Sequence, residues 1–194
     1  MADFRKQTLV LLILFCLGAA VSFAQSNELA ITAGGYFPVN SQVGASNAFA
    51  LGGSFAHRIV HLPLASVYFE VPVYGSFNSA ARLFSASTGS GLSKYSSLFV
   101  TPGLKLKLAP ELPISPYFVA GGGLARFHKT NVTTDDTTNT GTFDVGGGLD
   151  FKIAPFISAR GEVRDYYSGS PNITTGFSQR EHQLVTTVGL VFRF

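Results

Sequence analysis

The sequence has one cysteine, no tryptophan and few charged residues. Cys16 lies in the N-terminal apolar segment, so the rest of the chain cannot be a disulfide-stapled scaffold. Charged side chains make up 13% of the 194 residues, and 14 Lys and Arg stand against 11 Asp and Glu. No basic block and no basic–aromatic interleaving is present, so nucleic acid is not a supported partner.

Long apolar runs are confined to the N-terminus. Arg5 and Lys6 precede the apolar stretch 9–17, and small residues follow at the positions of a cleavage site. This order is that of a secretory signal peptide, and the stretch is short for a membrane helix, which needs about 20 residues. We therefore predict a cleaved signal peptide over residues 1–24 and a single domain over residues 25–194, without a transmembrane helix.

The C-terminal segment, residues 182–194, alternates between two kinds of side chain. Leu190, Phe192 and Phe194 continue an apolar face, whereas the other face is smaller, more polar and charged at Arg193. A period of two indicates a strand with different environments on its two sides. In a membrane barrel the apolar side faces lipid, and aromatic residues lie at the interface.

Eight segments of this kind follow one another along the chain. They span residues 28–37, 47–55, 64–77, 95–108, 114–128, 141–153, 156–167 and 182–194. Their connections alternate long and short, with long loops expected at about 38–46, 78–94, 129–140 and 168–181. An even strand number with short turns on one side and long loops on the other is typical of bacterial barrels. We predict an all-β fold, an eight-stranded antiparallel up-and-down transmembrane β-barrel; a soluble periplasmic β-sandwich is the alternative.

The alternating strands, the loop asymmetry and the C-terminal aromatic strand resemble the small OmpA-like and OmpX-like barrels of the Gram-negative outer membrane. In that resemblance Leu190, Phe192 and Phe194 correspond to the assembly signal of the family. The resemblance implies export to the outer membrane, contact with its lipid and lipopolysaccharide, recognition by the barrel-assembly machinery, and a monomeric state. It implies an architecture and leaves the activity open.

Charged residues collect on the face that the alternation assigns to the lumen. The set comprises Glu28, Glu70, Lys105, Lys107, Asp144, Asp150, Lys152, Arg160, Glu162, Arg164 and Arg193. Buried charges are tolerated only when they are paired, and eight strands enclose an interior that their own side chains about fill. We therefore predict a lumen plugged by salt bridges in a structural or surface-interaction protein. A narrow porin-like pore or a conduit for small molecules is the alternative.

Two less regular segments are assigned on weaker patterns. In the fifth strand, Arg126 and His128 favour the lumen for the face that also carries Phe118 and Leu124. The polar segment around His57 is assigned to a turn between the second and third strands.

One pair of residues suggests catalysis. His128 and Thr130 resemble the His-x-Ser of outer-membrane lipid A deacylases, but a threonine stands where the nucleophilic serine belongs, and only Asp144 is placed to orient the histidine. We predict that the protein is not an enzyme, and keep lipid A modification as a third alternative. Two adjacent carboxylates, Asp135 and Asp136, are too few for a calcium site of 6 to 8 oxygens, so no metal and no cofactor is predicted.

Overall fold

The computed structural model describes residues 26–39, 47–82, 92–130, 135–168 and 181–194. The predicted signal peptide lies outside the described residues. The strands are β1 (Asn27–Val39), β2 (Ala48–His61), β3 (Ala65–Arg82), β4 (Leu92–Val100), β5 (Gly103–Leu108), β6 (Ile114–Thr130), β7 (Asp135–Ala154), β8 (Ile157–Ser168) and β9 (Glu181–Arg193). None of the described residues belongs to a helix long and apolar enough to cross a membrane.

The strands form one closed antiparallel sheet. Sequential neighbours pair along the chain, and β1 pairs with β9 from Glu28↔Arg193 to Val39↔His182, which closes the ring. Strands β4 and β5 lie end to end between β3 and β6, and are the two halves of one barrel strand interrupted at Thr101 and Pro102. The predicted eight-stranded antiparallel barrel is confirmed.

The alternation in the sequence separates the inside of the barrel from the outside. Along β1, Glu28 and Thr32 are each 1% exposed, whereas Leu29 and Ile31 are 43% and 57% exposed. The same alternation runs around the barrel and leaves a belt of large apolar side chains on the outer surface, among them Phe49, Phe69, Leu104, Phe118, Phe143 and Val188. An exposed apolar surface of this extent indicates an apolar surrounding.

Several strands are longer than the sequence predicts. Within the predicted loop 78–94, β3 continues to Arg82 and β4 begins at Leu92. Strand β2 continues through His57 to His61, and β6 and β7 remain paired as far as Thr130↔Asp135. The segments assigned to a turn around His57 and to a loop over 129–140 are therefore mostly strand. In β7 the polar character that suggested a loop is compatible with strand because Thr137, Thr138 and Thr140 are β-branched, which favours the extended backbone.

The facing predicted for the fifth strand of the barrel, β6, is wrong. Tyr117 and Phe127 are buried at 1% exposure, whereas Phe118 and Leu124 are 60% and 65% exposed on the outer surface. Arg126 is also exposed. It lies near the far end of β6, where a long charged side chain can reach past the apolar belt, so its charge is a poor guide to facing.

One inward-facing glycine allows neighbouring strands to approach closely. A Cβ atom on Gly189 would lie 2.0 Å from the carbonyl oxygen of Ile31 on β1, whereas a Cβ on Gly161 of β8 would have no neighbour within 4 Å. We expect Gly189→Ala to lower the free energy of unfolding by about 1–3 kcal/mol, the usual cost of overpacking. Gly161→Ala is the matched control and should leave it nearly unchanged. Urea unfolding followed by circular dichroism measures both, and equal effects would contradict the close approach.

Candidate functional site

The lumen contains a turn-side cluster of ion pairs, at the end of the barrel where the short connections lie. Its first centre is Glu28 on β1, which accepts a hydrogen bond from Lys105 Nζ at 2.7 Å and another from Lys107 Nζ. Arg160 Nη2 and Arg193 Nε each lie 3.3 Å from the same carboxylate. Because these partners come from β5, β8 and β9, Glu28 ties together strands on different sides of the lumen.

The second centre of the turn-side cluster is Asp150 on β7. Arg160 donates to both of its oxygens, from Nε at 2.8 Å and from Nη2 at 3.0 Å. Lys107 Nζ lies 2.6 Å away and Arg193 Nη2 3.5 Å away. The forked, two-point contact from Arg160 is the strong and geometrically specific form of an ion pair.

A central cluster forms around Arg164, deeper in the lumen. Its guanidinium reaches Glu70 at 2.7 Å, Asp144 at 3.0 Å and Glu162 at 2.7 Å. Tyr117 donates a hydrogen bond of 2.7 Å to the other oxygen of Glu162. One buried cation therefore holds three carboxylates from β3, β7 and β8.

The two clusters balance in charge. Five carboxylates and five cations are buried, each no more than 8% exposed: Glu28, Glu70, Asp144, Asp150, Glu162, Lys105, Lys107, Arg160, Arg164 and Arg193. Lys105 Nζ connects the clusters, lying 2.7 Å from Glu28 and 3.4 Å from Glu70. Paired in this way, the charges can remain inside a low-dielectric barrel.

Lys152 does not join the two clusters. It has the parity of the buried Asp150 and lies opposite the buried Ser158, but it is at the end of β7, and its side chain is exposed at the turn-side mouth. At that position the flexible side chain can extend into solvent, where an ammonium group is better hydrated than in the crowded lumen.

An aromatic layer lies beyond the central cluster, on the side away from the short turns. Phe99 is its centre, with ring centroids 4.5 Å from Tyr166, 5.9 Å from Phe127 and 6.4 Å from Tyr36. Tyr74 is tilted against Tyr166 at 6.1 Å and also donates a hydrogen bond to Glu162, which links the layer to the central cluster. These five rings are each 3% exposed or less.

The aromatic layer was not predicted as a feature of the lumen, although one signal for its facing exists in the sequence. Phe99 has the same parity as the inward Thr101 and Lys105. Inward tyrosines also lie directly across from glycines, as in Gly52↔Tyr74 and Gly148↔Tyr117, and a Cβ at either glycine would strike the facing tyrosine. A glycine opposite an aromatic residue leaves room for the ring to lie over the backbone.

The residues that suggested catalysis are not brought together. Asp144 is buried in the lumen with Arg164, whereas His128 lies near the end of β6 and its Nδ1 is 3.0 Å from Thr137 Oγ1. Asp144 therefore does not orient His128. Among the described residues, no group of three His, Cys, Asp or Glu side chains is arranged to hold a metal ion.

The three residues of the predicted assembly signal lie on the outer face of β9 and just after it. Leu190 and Phe194 are 44% and 47% exposed, and Phe192 is partly buried. Phe194 is also held to β1 by backbone hydrogen bonds in both directions with Asn27, at 2.9 and 3.1 Å.

The fold is shared with known outer-membrane barrels. No protein-family model matches the chain, and no curated protein matches it. Among solved structures, Neisserial surface protein A is similar with a TM-score of 0.61 and 15% identity, over 87% of this chain and 97% of that one. The outer membrane protein OprG from Pseudomonas aeruginosa is similar with a TM-score of 0.57 and 11% identity, over 87% of this chain and 96% of that one. The N-terminal β-barrel domain of Pseudomonas aeruginosa OprF is similar with a TM-score of 0.53 and 15% identity, over 87% of this chain and 96% of that one.

These likenesses identify the class of fold. The chain resembles small outer-membrane β-barrels over most of its length, and its sheet closes as theirs does. At 11–15% identity the comparison extends to the fold alone, since one fold serves many functions.

Proposed function

We propose that this protein is an exported, monomeric, integral protein of the bacterial outer membrane whose lumen is sealed, and that it acts as a structural or surface-interaction protein. The observation that carries this proposal is the filled lumen, in which five carboxylates and five cations pair beneath an aromatic layer. A barrel closed in this way does not form a channel, so its outer surface and its loops are the parts available for function.

The outer surface supports a place in a membrane. Its belt of exposed apolar side chains would be costly in water and matches the hydrocarbon of a bilayer. Among the proteins of similar fold are Neisserial surface protein A and the outer membrane protein OprG. In this setting, lipid and lipopolysaccharide contact the belt, the barrel-assembly machinery inserts the chain, and the long loops face the outside.

Cell fractionation tests this location. We expect the full-length protein to be recovered in the outer-membrane fraction, and to migrate faster on a gel when unheated than when boiled, because a closed barrel resists detergent until heated. Recovery in the soluble periplasm, without a heat-dependent shift, would contradict the proposal and favour a β-sandwich.

The proposal includes the absence of enzymatic activity. Expression of wild type, His128→Ala or Thr130→Ala in a host with fully acylated lipid A should leave the lipid A acylation unchanged, because Asp144 is engaged by Arg164 and does not orient His128. Mass spectrometry of extracted lipid A measures the result. Loss of an acyl chain with wild type but not with Thr130→Ala would contradict this part of the proposal.

A further inference from the structure

A basic recess opens at the turn-side mouth of the barrel. It encloses about 20 Å³ and opens to solvent, and its polar lining consists of Arg58, Tyr68, Lys107, Glu111, Lys152 and Arg193. Four of these side chains are cationic and one is a carboxylate. The recess lies below the sealed lumen and opens on the side of the short turns, so it is separate from the surface formed by the long loops.

Two of the four cations are neutralised from inside the lumen, and two are not. Lys107 and Arg193 are paired with carboxylates of the turn-side cluster. Among the described residues, the ion pairs involve other cations, and none joins Arg58 or Lys152 to a carboxylate. The recess therefore has two uncompensated cationic side chains, beside lumen clusters whose ten charges balance only when both clusters are taken together.

The acidic group at the recess does not cancel this excess. The side chain of Glu111 is 72% exposed, and its nearest cation is His61, whose Nε2 lies 3.8 Å away. Exposed charges of this kind interact weakly across solvent. The excess positive charge thus persists at a mouth with low-dielectric walls, where field lines are focused.

The barrel wall shields part of the recess. Arg58 is partly buried, Tyr68 in the same lining is 3% exposed, and Lys107 Nζ lies 5.4 Å from the centre of the Tyr68 ring. An anion entering the recess would meet the partly buried guanidinium of Arg58 and the exposed ammonium of Lys152. A guanidinium fork suits the oxygens of a phosphate, and an ammonium adds a point charge.

We propose that the basic recess binds a phosphate group presented to the turn-side mouth. Phosphate oxygens suit the guanidinium fork of Arg58 and the ammonium of Lys152; a phosphomonoester would compensate both charges, and the phosphodiester of a phospholipid would compensate one. The same chemistry is offered by a soluble phosphate compound of the periplasm and by the headgroup of an anionic phospholipid. This site goes beyond the proposed function, and its test in detergent does not depend on where the protein resides.

Calorimetric titration of the full barrel tests the site. Inorganic pyrophosphate is titrated into the protein folded in an uncharged detergent, for wild type, the double variant Arg58→Gln/Lys152→Gln, and the matched control Arg126→Gln, which removes an exposed cation near the opposite end. We expect binding to weaken at least tenfold in the double variant and to be unchanged in the control. Heat-dependent gel migration checks that each variant is folded, and Lys152→Gln alone, at an exposed position, provides a second variant.

The lipid source is tested in a second arm, with nanodiscs of neutral lipid containing a minor fraction of phosphatidylglycerol. Enrichment of that lipid around wild type but not around the double variant, without pyrophosphate binding, would support the site and assign it to a headgroup. Binding of neither probe would overturn the proposal. Equal weakening by the double variant and by Arg126→Gln would also overturn it, since the effect would then be one of net charge.

Discussion

Replacing Arg164 with methionine is expected to destabilise the barrel by about 3–5 kcal/mol, because it leaves buried charges without their partner. Arg164 is 2% exposed and is the cation shared by Glu70, Asp144 and Glu162. Because methionine fills part of the volume of the arginine side chain, the decrease in the free energy of unfolding reflects the lost charge more than the creation of a cavity. Equilibrium unfolding in urea, from lipid vesicles and followed by circular dichroism, measures the change.

Two further variants separate the charge effect from loss of packing. Arg126→Met removes an exposed arginine and should change the free energy of unfolding by less than about 0.5 kcal/mol. The pair Arg164→Met/Glu162→Gln should be more stable than Arg164→Met alone, because one of the stranded carboxylates is neutralised. The central cluster as described would be contradicted if the double variant were no more stable than Arg164→Met. It would also be contradicted if Arg164→Met differed from wild type by less than about 0.5 kcal/mol, the usual spread of surface substitutions.

An arginine placed in the middle of the apolar belt is expected to cost about 2–4 kcal/mol in a bilayer, and one placed at its edge about 0–1 kcal/mol. Val188→Arg makes the first change, on the outer face of β9 at a residue that is 69% exposed. Ile153→Arg makes the second at a residue of similar exposure, 65%, near the turn-side end of β7. Unfolding from phospholipid vesicles measures both.

The difference in the free energy of unfolding between Val188→Arg and Ile153→Arg tests whether the belt lies in lipid. Because both side chains are already exposed, burial within the protein does not distinguish them, and only depth in lipid does. Equal costs at the two positions would contradict a membrane that surrounds the belt at the level of Val188.

The architecture could be predicted from the sequence because the alternation of residue types along a barrel strand indicates which side chains face inward and which face outward. Residues of β9 alternate in character according to whether they face lipid or the lumen, so the alternation from Leu184 to Phe194 indicates which side chains lie on each face of the barrel. Charged residues in the middle of strands, such as Glu70 and Arg160, could be placed inward for the same reason: lipid at that depth excludes them.

Charge is a poor guide to facing near strand ends, where this exclusion relaxes. Arg126 keeps the parity of the exposed Leu124, and Lys152 keeps the parity of the buried Asp150 but is exposed at the mouth of the barrel. Loop boundaries fail for a related reason. Beyond the membrane a strand can continue with polar residues, as β7 does from Asp135, so composition no longer marks where pairing stops.

The partners inside the lumen could not be predicted, because they depend on register around the whole ring. Lys105 and Glu28 are 77 positions apart in the chain and meet at 2.7 Å across the barrel. The aromatic layer has the same origin, since Phe99, Phe127 and Tyr166 come from three strands and meet only after closure. The alternation therefore indicates whether a residue faces the lumen or the outside, whereas the register of the closed sheet determines which residues it contacts.

Single-channel recording is the most direct test of a sealed lumen. The protein is refolded into planar bilayers, its insertion is verified by heat-dependent gel migration from the same preparation, and wild type is compared with Glu162→Gln, which weakens one contact of Arg164 while keeping the shape of the side chain. The sealed lumen predicts no steady conductance in either protein. A steady current through wild type that changes with Glu162→Gln would contradict it, and would make the central cluster the gate of a narrow pore.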